Sequence, residues 1–239
     1  MENLRKVLEE ISKDYKIDIE DALKKLEAYM NRILEKNQSI NLTTITDKEE
    51  FVLKHLIDSL TSAKMPYFNN ITKIVDVGTG AGFPGVPLAI LFPDIEFCLV
   101  DAIKKKLHVI DEVCSELQIN NVKTCHARAE DFGRDKQHRE KYDICLSRAV
   151  ADLAILCEYC IPLIKPGGMF IAYKGPKSEE EKKRSLKAIK ILGGEMVKEF
   201  KPEFAEFQEM EHRILIIKKI KHTPSEYPRK AGTPSKNPL

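Results

Sequence analysis

Asp76-Val-Gly78-Thr-Gly80-Ala-Gly82-Phe-Pro-Gly85 is the stretch that decides the reading of this chain. The apolar run before it, Ile71–Val77, has the length of a strand. The residues after it, Gly85–Leu91, begin a helical pattern. Glycines at this spacing let the backbone approach a ligand and adopt positive φ. In an open parallel sheet, such a loop lies at the carboxyl end of the strand, where ligands bind.

The same alternation continues downstream. Ile95–Asp101 reads as a strand, Lys104–Leu117 as a helix, Val122–Ala127 as a strand and Tyr142–Ser147 as another. Ala151–Ile164 reads as a helix, Lys165-Pro-Gly-Gly168 as a turn, Met169–Tyr173 as a strand and Glu179–Leu192 as a helix. Met196–Phe200 and Arg213–Ile220 are two final strands with no helix between them, which suits an antiparallel hairpin at the sheet edge. Strand and helix alternating in this way predict an α/β fold, a doubly wound and mostly parallel sheet with helices on both faces. Upstream, Leu4, Leu8 and Ile11, then Leu23, Leu26, Met30, Ile33 and Leu34, recur at helical spacing. Asp47 stands where it can cap a further helix, with Glu50 at the capping-box position. The expected organisation is an N-terminal helical extension (1–66), a sheet domain (67–222) and a basic, proline-rich C-terminal tail (223–239).

Two cofactors suit the glycine loop. Gly80-x-Gly82-x-x-Gly85 matches a dinucleotide fingerprint, and Asp101, at the end of the next strand, is placed to accept ribose hydroxyls. Three features favour S-adenosylmethionine. Asp76 precedes the loop, where a carboxylate can reach a cationic amino-acid end. Pro84 and Pro87 remove amide donors that a pyrophosphate would use. The paired final strands suit a seven-stranded methyltransferase sheet. Gly78 is read as making room for the methionine end.

Two further segments follow strands: Arg128-Ala129-Glu130 and Ser147-Arg148-Ala-Val150. Glu130 or its neighbouring amides are placed to receive an adenine amino group, and Arg148 to meet the substrate. No Asn/Asp-Pro-Pro-Tyr/Phe motif and no Pro-Cys pair are present, so neither an exocyclic-amine clamp nor a cysteine nucleophile is signalled. A ring nitrogen such as guanine N7 carries an in-plane lone pair and no proton. Its methylation requires alignment rather than a general base.

Composition narrows the class. Of 239 residues, 43% are hydrophobic and 32% charged, which is globular rather than disordered. No apolar run approaches the ~20 residues of a membrane helix, and the N-terminus shows no signal-peptide pattern. A cytoplasmic, monomeric protein with no membrane association is expected. The six cysteines lie in apolar runs and read as buried thiols. No metal site is signalled, because Cys157-x-x-Cys160 has no second pair. With a net charge of only +2, any nucleic-acid contact must rest on locally concentrated basic residues.

The motifs together resemble the GidB/RsmG family. They are Asp76–Ala89, Arg128-Ala-Glu130, Ser147-Arg-Ala-Val150, Asn41-Leu-Thr43, His55-x-x-Asp58-Ser59 and the ending Tyr227–Leu239. Members methylate N7 of a guanine in bacterial small-subunit (16S) ribosomal RNA, near the decoding site. The resemblance implies a class I S-adenosylmethionine methyltransferase with an N-terminal helical extension. It implies cofactor contacts by Gly78, Phe83, Ala129, Glu130 and Arg148, with Asp101 as the acid ending the second strand. Lys104, Lys105, Lys106, Arg128, Arg148, Arg229, Lys230 and Lys236 are then candidates for RNA contact. The pairing of His55 with Asp58, three residues apart, reads as a local hydrogen bond holding a helix. The competing functions are a non-catalytic RNA-binding or ribosome-assembly protein and a nicotinamide-dependent oxidoreductase, the latter lacking a Tyr-x-x-x-Lys pair.

Overall fold

The computed structural model describes residues 1–148, 150–175, 178–201 and 212–239. Ala149 of the Ser147–Val150 motif lies outside the described residues. The element order opens with helices α1 (Glu2–Ile11), α2 (Ile19–Asn37) and α3 (Lys48–Phe51). A π-helical stretch (Val52–Ile57), α4 (Asp58–Leu60) and a 3-10 turn (Thr61–Lys64) follow. Then come β1 (Lys73–Val77), α5 (Gly85–Leu91), β2 (Glu96–Asp101), α6 (Lys104–Glu116), β3 (Val122–His126), α7 (Ala129–Arg134) and β4 (Tyr142–Arg148). The chain ends with α8 (Leu153–Cys160), β5 (Ile164–Lys174), α9 (Ser178–Ile191), β6 (Gly194–Phe200), β7 (Arg213–Lys219) and α10 (Thr233–Lys236). The seven strands run in the order β3-β2-β1-β4-β5-β7-β6. β2 pairs with β3, β1 with β4 and β4 with β5 in parallel, while β7 is antiparallel to both β5 and β6.

Two compact units are interleaved in sequence: Met1–Thr72 with Thr79–His126, and Lys73–Gly78 with Ala127–Leu239. Packing therefore divides the chain differently from the composition breaks at 66 and 222. In the first unit, the N-terminal helices belong to the same body as Thr79–Gly85 of the glycine loop, β2 and α6.

The helices of the first unit form where the sequence caps them. The Asp18 carboxylate accepts the Asp21 amide at 3.1 Å and starts α2. Asp47 does the same for Glu50 at 2.9 Å and starts α3. α2 buries Ala22, Leu23, Leu26, Tyr29, Met30 and Ile33, one stripe of a 3.6-residue period. Its outer face reaches α6 through Arg32 to Glu116 and Lys36 to Glu112. These are exposed pairs, worth little each.

In the second unit, β1, β4, β5 and β7 carry runs of consecutive buried residues and so are covered on both faces, mostly by apolar side chains, with Asp76, Ser147 and Lys219 as buried polar exceptions. α8 buries residues all round, Leu153, Ala154, Leu156, Cys157, Glu158, Tyr159 and Cys160. One sequence expectation needs correction here. Lys165-Pro-Gly-Gly168 is not a turn ahead of β5 but part of it. Tyr142 stands opposite Ile164 and Ile144 opposite Met169, so the Pro-Gly-Gly residues are extruded as a bulge within a continuous strand. The short helix α7 was not legible, because six residues carry too little periodicity.

Candidate functional site

The glycine loop closes on itself and on β2. Thr79 N–H donates to Val100 O at 3.2 Å, and the Gly82 and Phe83 amides both donate to Thr79 O at 3.0 Å. Asp101 locks this turn. Its Oδ2 accepts the Gly80 amide at 2.9 Å and its Oδ1 accepts the Ile103 amide at 2.8 Å. Each carboxylate oxygen thus spends one lone pair on the backbone and keeps one for a ligand. Gly80 has φ +61°, and no other atom lies within 4 Å of where a Cβ would stand, so the backbone there borders open space.

Those two features meet the needs of an adenosine-bearing cofactor: close approach to the backbone, and an acid with spare acceptors beside it. Gly78 is different. Its absent Cβ would collide with the Val150 side chain, so the protein's own packing demands glycine at that position.

Phe83 is 5% exposed, its ring stacked on His55 and set edge-on to Tyr29 and Phe51. Its side chain therefore belongs to the core, leaving only its backbone for a ligand. The Thr43 hydroxyl meets His55 Nε2 at 2.8 Å, so His55 reaches outside its own helix. Lys104 and Lys105 are exposed at the start of α6, and Lys106 is half-buried.

In the second unit, Asp76 is fully buried on β1, opposite Leu146 of β4. Arg148 is the last residue of β4, half-buried and opposite Tyr173. Arg128 is exposed immediately before α7, and Ala129 is half-buried in its first turn. Glu130 is only 5% exposed, and its Oε1 accepts the Gly232 amide of the C-terminal tail at 2.8 Å.

Arg229, read from sequence as an RNA contact, instead fixes the tail. Its Nε and Nη2 donate to the carboxylate of Glu158 at 2.9 and 2.6 Å, and its backbone amide donates there too. The hydrogen bonds to Glu158 push the Arg229 guanidinium pKa upward. Lys230 and Lys236 stay exposed.

A second buried charge holds the start of the tail. Lys219 donates to Glu140 at 2.6 Å, to Ile161 O and to Thr223 Oγ1. Burial pushes the Lys219 amine down to about 8. Burial acts to raise the Glu140 carboxyl, but hydrogen bonds from Lys219, His222 and the Thr223 amide outweigh it and hold the group at about 2. Arg139 adds donors to Tyr227 O and Thr223 O.

Sequence reasoning missed Tyr29, Glu158, Glu140 and Lys219. A lone acid inside Leu-Ala-Ile-Leu-Cys-Glu158-Tyr-Cys was a usable signal, because a buried carboxylate must have a partner. Burial raises the Cys157 and Cys160 thiols well above their ordinary range, which makes both unreactive. Among the described residues, no group of three or more His, Cys, Asp or Glu is arranged to hold a metal. No described helix is long and apolar enough to cross a membrane.

Among solved structures, the chain is similar to an S-adenosylmethionine-dependent O-methyltransferase from Thermotoga maritima. The TM-score is 0.54 at 13% identity, covering 80% of this chain and 72% of that one. At that identity the likeness concerns the fold, a class I methyltransferase. Sequence relatives lie much nearer. A protein of Alkaliphilus oremlandii called ribosomal RNA small subunit methyltransferase G is 48% identical over 99% of both chains. One of the same name from Desulforamulus reducens is 45% identical over the full length of both. Residues 22–209 match the family model described as GidB, rRNA small subunit methyltransferase G. The chain belongs to the GidB family of S-adenosylmethionine-dependent rRNA methyltransferases.

Proposed function

We propose that this enzyme transfers the methyl group of S-adenosylmethionine to N7 of a guanine in 16S ribosomal RNA, acting in the cytoplasm as a monomer on that RNA or on the small subunit containing it. The observation that carries the reading is the Asp101 lock on the Gly80 amide, in a chain whose full-length relatives bear the small-subunit methyltransferase name.

When bound, the cofactor supplies an electrophilic methyl group on a positively charged sulfur. Asp101 offers its remaining lone pairs to the ribose hydroxyls, and Gly80 lets the backbone lie against the ligand. Asp76 contributes negative field toward the cationic amino-acid end. Gly82 and Phe83 in the first unit, and Gly78, Ala129 and Glu130 in the second, are the further candidates for cofactor contact, each through its backbone. Arg148, a charge at the end of a parallel strand, holds either the cofactor's carboxylate or the RNA in line. Because N7 carries no proton, none of these side chains has to act as a base.

Lys104 and Lys105 support the RNA reading. Cations in the first turn of a helix work against its dipole, and a phosphate brought beside them offsets that cost. Arg128, Lys230 and Lys236 add exposed positive charge.

The test is single-turnover methyl transfer to small subunits from about pH 6 to 9, with the modified base mapped. A pH-independent rate is expected. Arg148→Ala should lose most of that rate, and Arg148→Lys, which lacks the planar fork, should recover only part. A steep pH dependence abolished by removing one acid, or full activity in Arg148→Ala, would overturn the mechanism.

A further inference from the structure

We infer that the N-terminal helical segment is the jig for the cofactor loop, with Tyr29 and the Thr43–His55 pair as positioning residues that fix residues 81–83. The inference rests on the proposed cofactor reading of that loop. Its elements all lie within the first compact unit.

The geometry builds outward from Asn37. Its Oδ1 accepts the amides of Leu42 and Thr43 at 2.8 and 2.9 Å, and its Nδ2 donates to Thr43 O at 3.0 Å. Three hydrogen bonds from one side chain leave the Asn41-Leu-Thr43 turn little freedom. The Thr43 hydroxyl is thereby placed to receive the Ile45 amide at 3.1 Å and to meet His55 Nε2 at 2.8 Å. His55 sits in the π-helical stretch that interrupts the helical run from Lys48. Its ring lies parallel to that of Phe83, centroids 4.7 Å apart and planes 8° from parallel, while Phe51 meets both rings edge-on.

Tyr29 completes the hold. Its hydroxyl donates to Ala81 O at 2.8 Å, and its ring meets Phe83 at 5.8 Å. A Cβ on Gly82 would strike the Tyr29 hydroxyl. The three consecutive residues 81, 82 and 83 therefore each rest on an N-terminal side chain, while Asp101 holds Gly80. This gives Thr43 of the Asn41-Leu-Thr43 motif and His55 of the His55-x-x-Asp58-Ser59 motif a role that the methyl-transfer reading does not supply. Placed so, His55 acts through Phe83 rather than on RNA or as a proton carrier.

The experiment uses the full chain with S-adenosylhomocysteine as the calorimetric probe, amide hydrogen exchange at Gly82 and Phe83, and KM for methyl donor and for small subunits. His55→Ala should raise the probe's Kd roughly tenfold, by loss of an aromatic pair. Tyr29→Phe should raise it roughly fivefold and Thr43→Val roughly threefold, each by loss of one hydrogen bond. Exchange at Gly82 and Phe83 should quicken in all three, and KM for subunits should hold. His55→Phe, which keeps the stack, should recover most of the loss.

Probe affinities within twofold of wild type in folded variants would overturn the inference, as would a rise confined to KM for subunits. Should His55→Ala fail to fold, Tyr29→Phe and Thr43→Val decide. Wild-type protein that binds no probe strikes at the proposed function itself, and the exchange rates then still read the jig.

Discussion

The glycine loop and the C-terminal tail are each held to the body of the protein by a few side chains, but by opposite physics. The loop is fixed by hydrogen bonds and ring packing: a tyrosine hydroxyl on Ala81 O, a histidine stacked on Phe83, and glycines where a Cβ would collide or strain. Asp101 is the exception, a half-buried carboxylate that keeps acceptors for a ligand. The tail is fixed by charges taken out of water, Arg229 on Glu158 and Lys219 on Glu140. Ring packing and backbone hydrogen bonds give shape without drawing on an ion pair. Buried charge gives directional anchoring whose strength depends on both partners being present and ionised.

The two ion pairs share an asymmetry. Glu158 is 1% exposed while Arg229 is 22%, and Lys219 is 0% exposed while Glu140 is 18%. In each pair, the partner nearer to water is the one whose loss strands a charge in the interior.

The largest effect should therefore come from Arg229→Ala, which leaves the Glu158 carboxylate buried with only backbone help. A cost of about 3–5 kcal/mol is expected, a fall in Tm of roughly 10 °C for a chain of this size. Glu158→Gln, which lets Arg229 turn to solvent, should cost less. Thermal unfolding of both variants checks the order, and the reverse order would break the asymmetry argument.

Acid titration should sharpen the same contrast. Glu140 is held at about 2 in the fold, below its ordinary 4.5. A group whose folded value is depressed contributes stability that is complete above its unfolded value and is lost as pH falls toward the folded one. Stability should then decline between about pH 4.5 and 2. In Glu140→Gln that part of the slope should vanish, together with the stability it carried, because Lys219 loses its counter-charge. Urea unfolding across that window measures both. An unchanged slope in the variant would remove Glu140 from the account.

The smallest effect on stability, and the one that isolates the loop, should come from Asp101→Asn. An amide cannot accept from both Gly80 and Ile103 N–H groups, since one of its two ends is a donor. Loss of one charge-assisted bond and of the ribose acceptor should raise the Kd for S-adenosylhomocysteine tenfold or more, with Tm shifted by only a few degrees. Calorimetry paired with a thermal melt reads both quantities. A large Tm loss with unchanged affinity would make Asp101 a structural brace alone. Gly78 substitutions are a poor substitute for this test, since their first collision is with Val150.

The sequence by itself determined the strand and helix alternation, the strand ends that carry Asp101 and Arg148, the closing antiparallel pair and the glycine loop. Each is a local pattern, set by periodicity and by residues whose backbone preferences act within a few positions. The family was legible for the same reason: its motifs are short and contiguous. Tertiary structure alone decided which side chains face a ligand and which face the core. Phe83 and Arg229 sit inside motifs that suggest contact with cofactor or RNA, yet one is packed against His55 and the other against Glu158. Their partners lie 28 and 71 residues away along the chain. No local pattern encodes which distant residue will satisfy a buried ring or charge. That choice is made only when the elements pack, because a desolvated group must find its partner wherever the fold brings one.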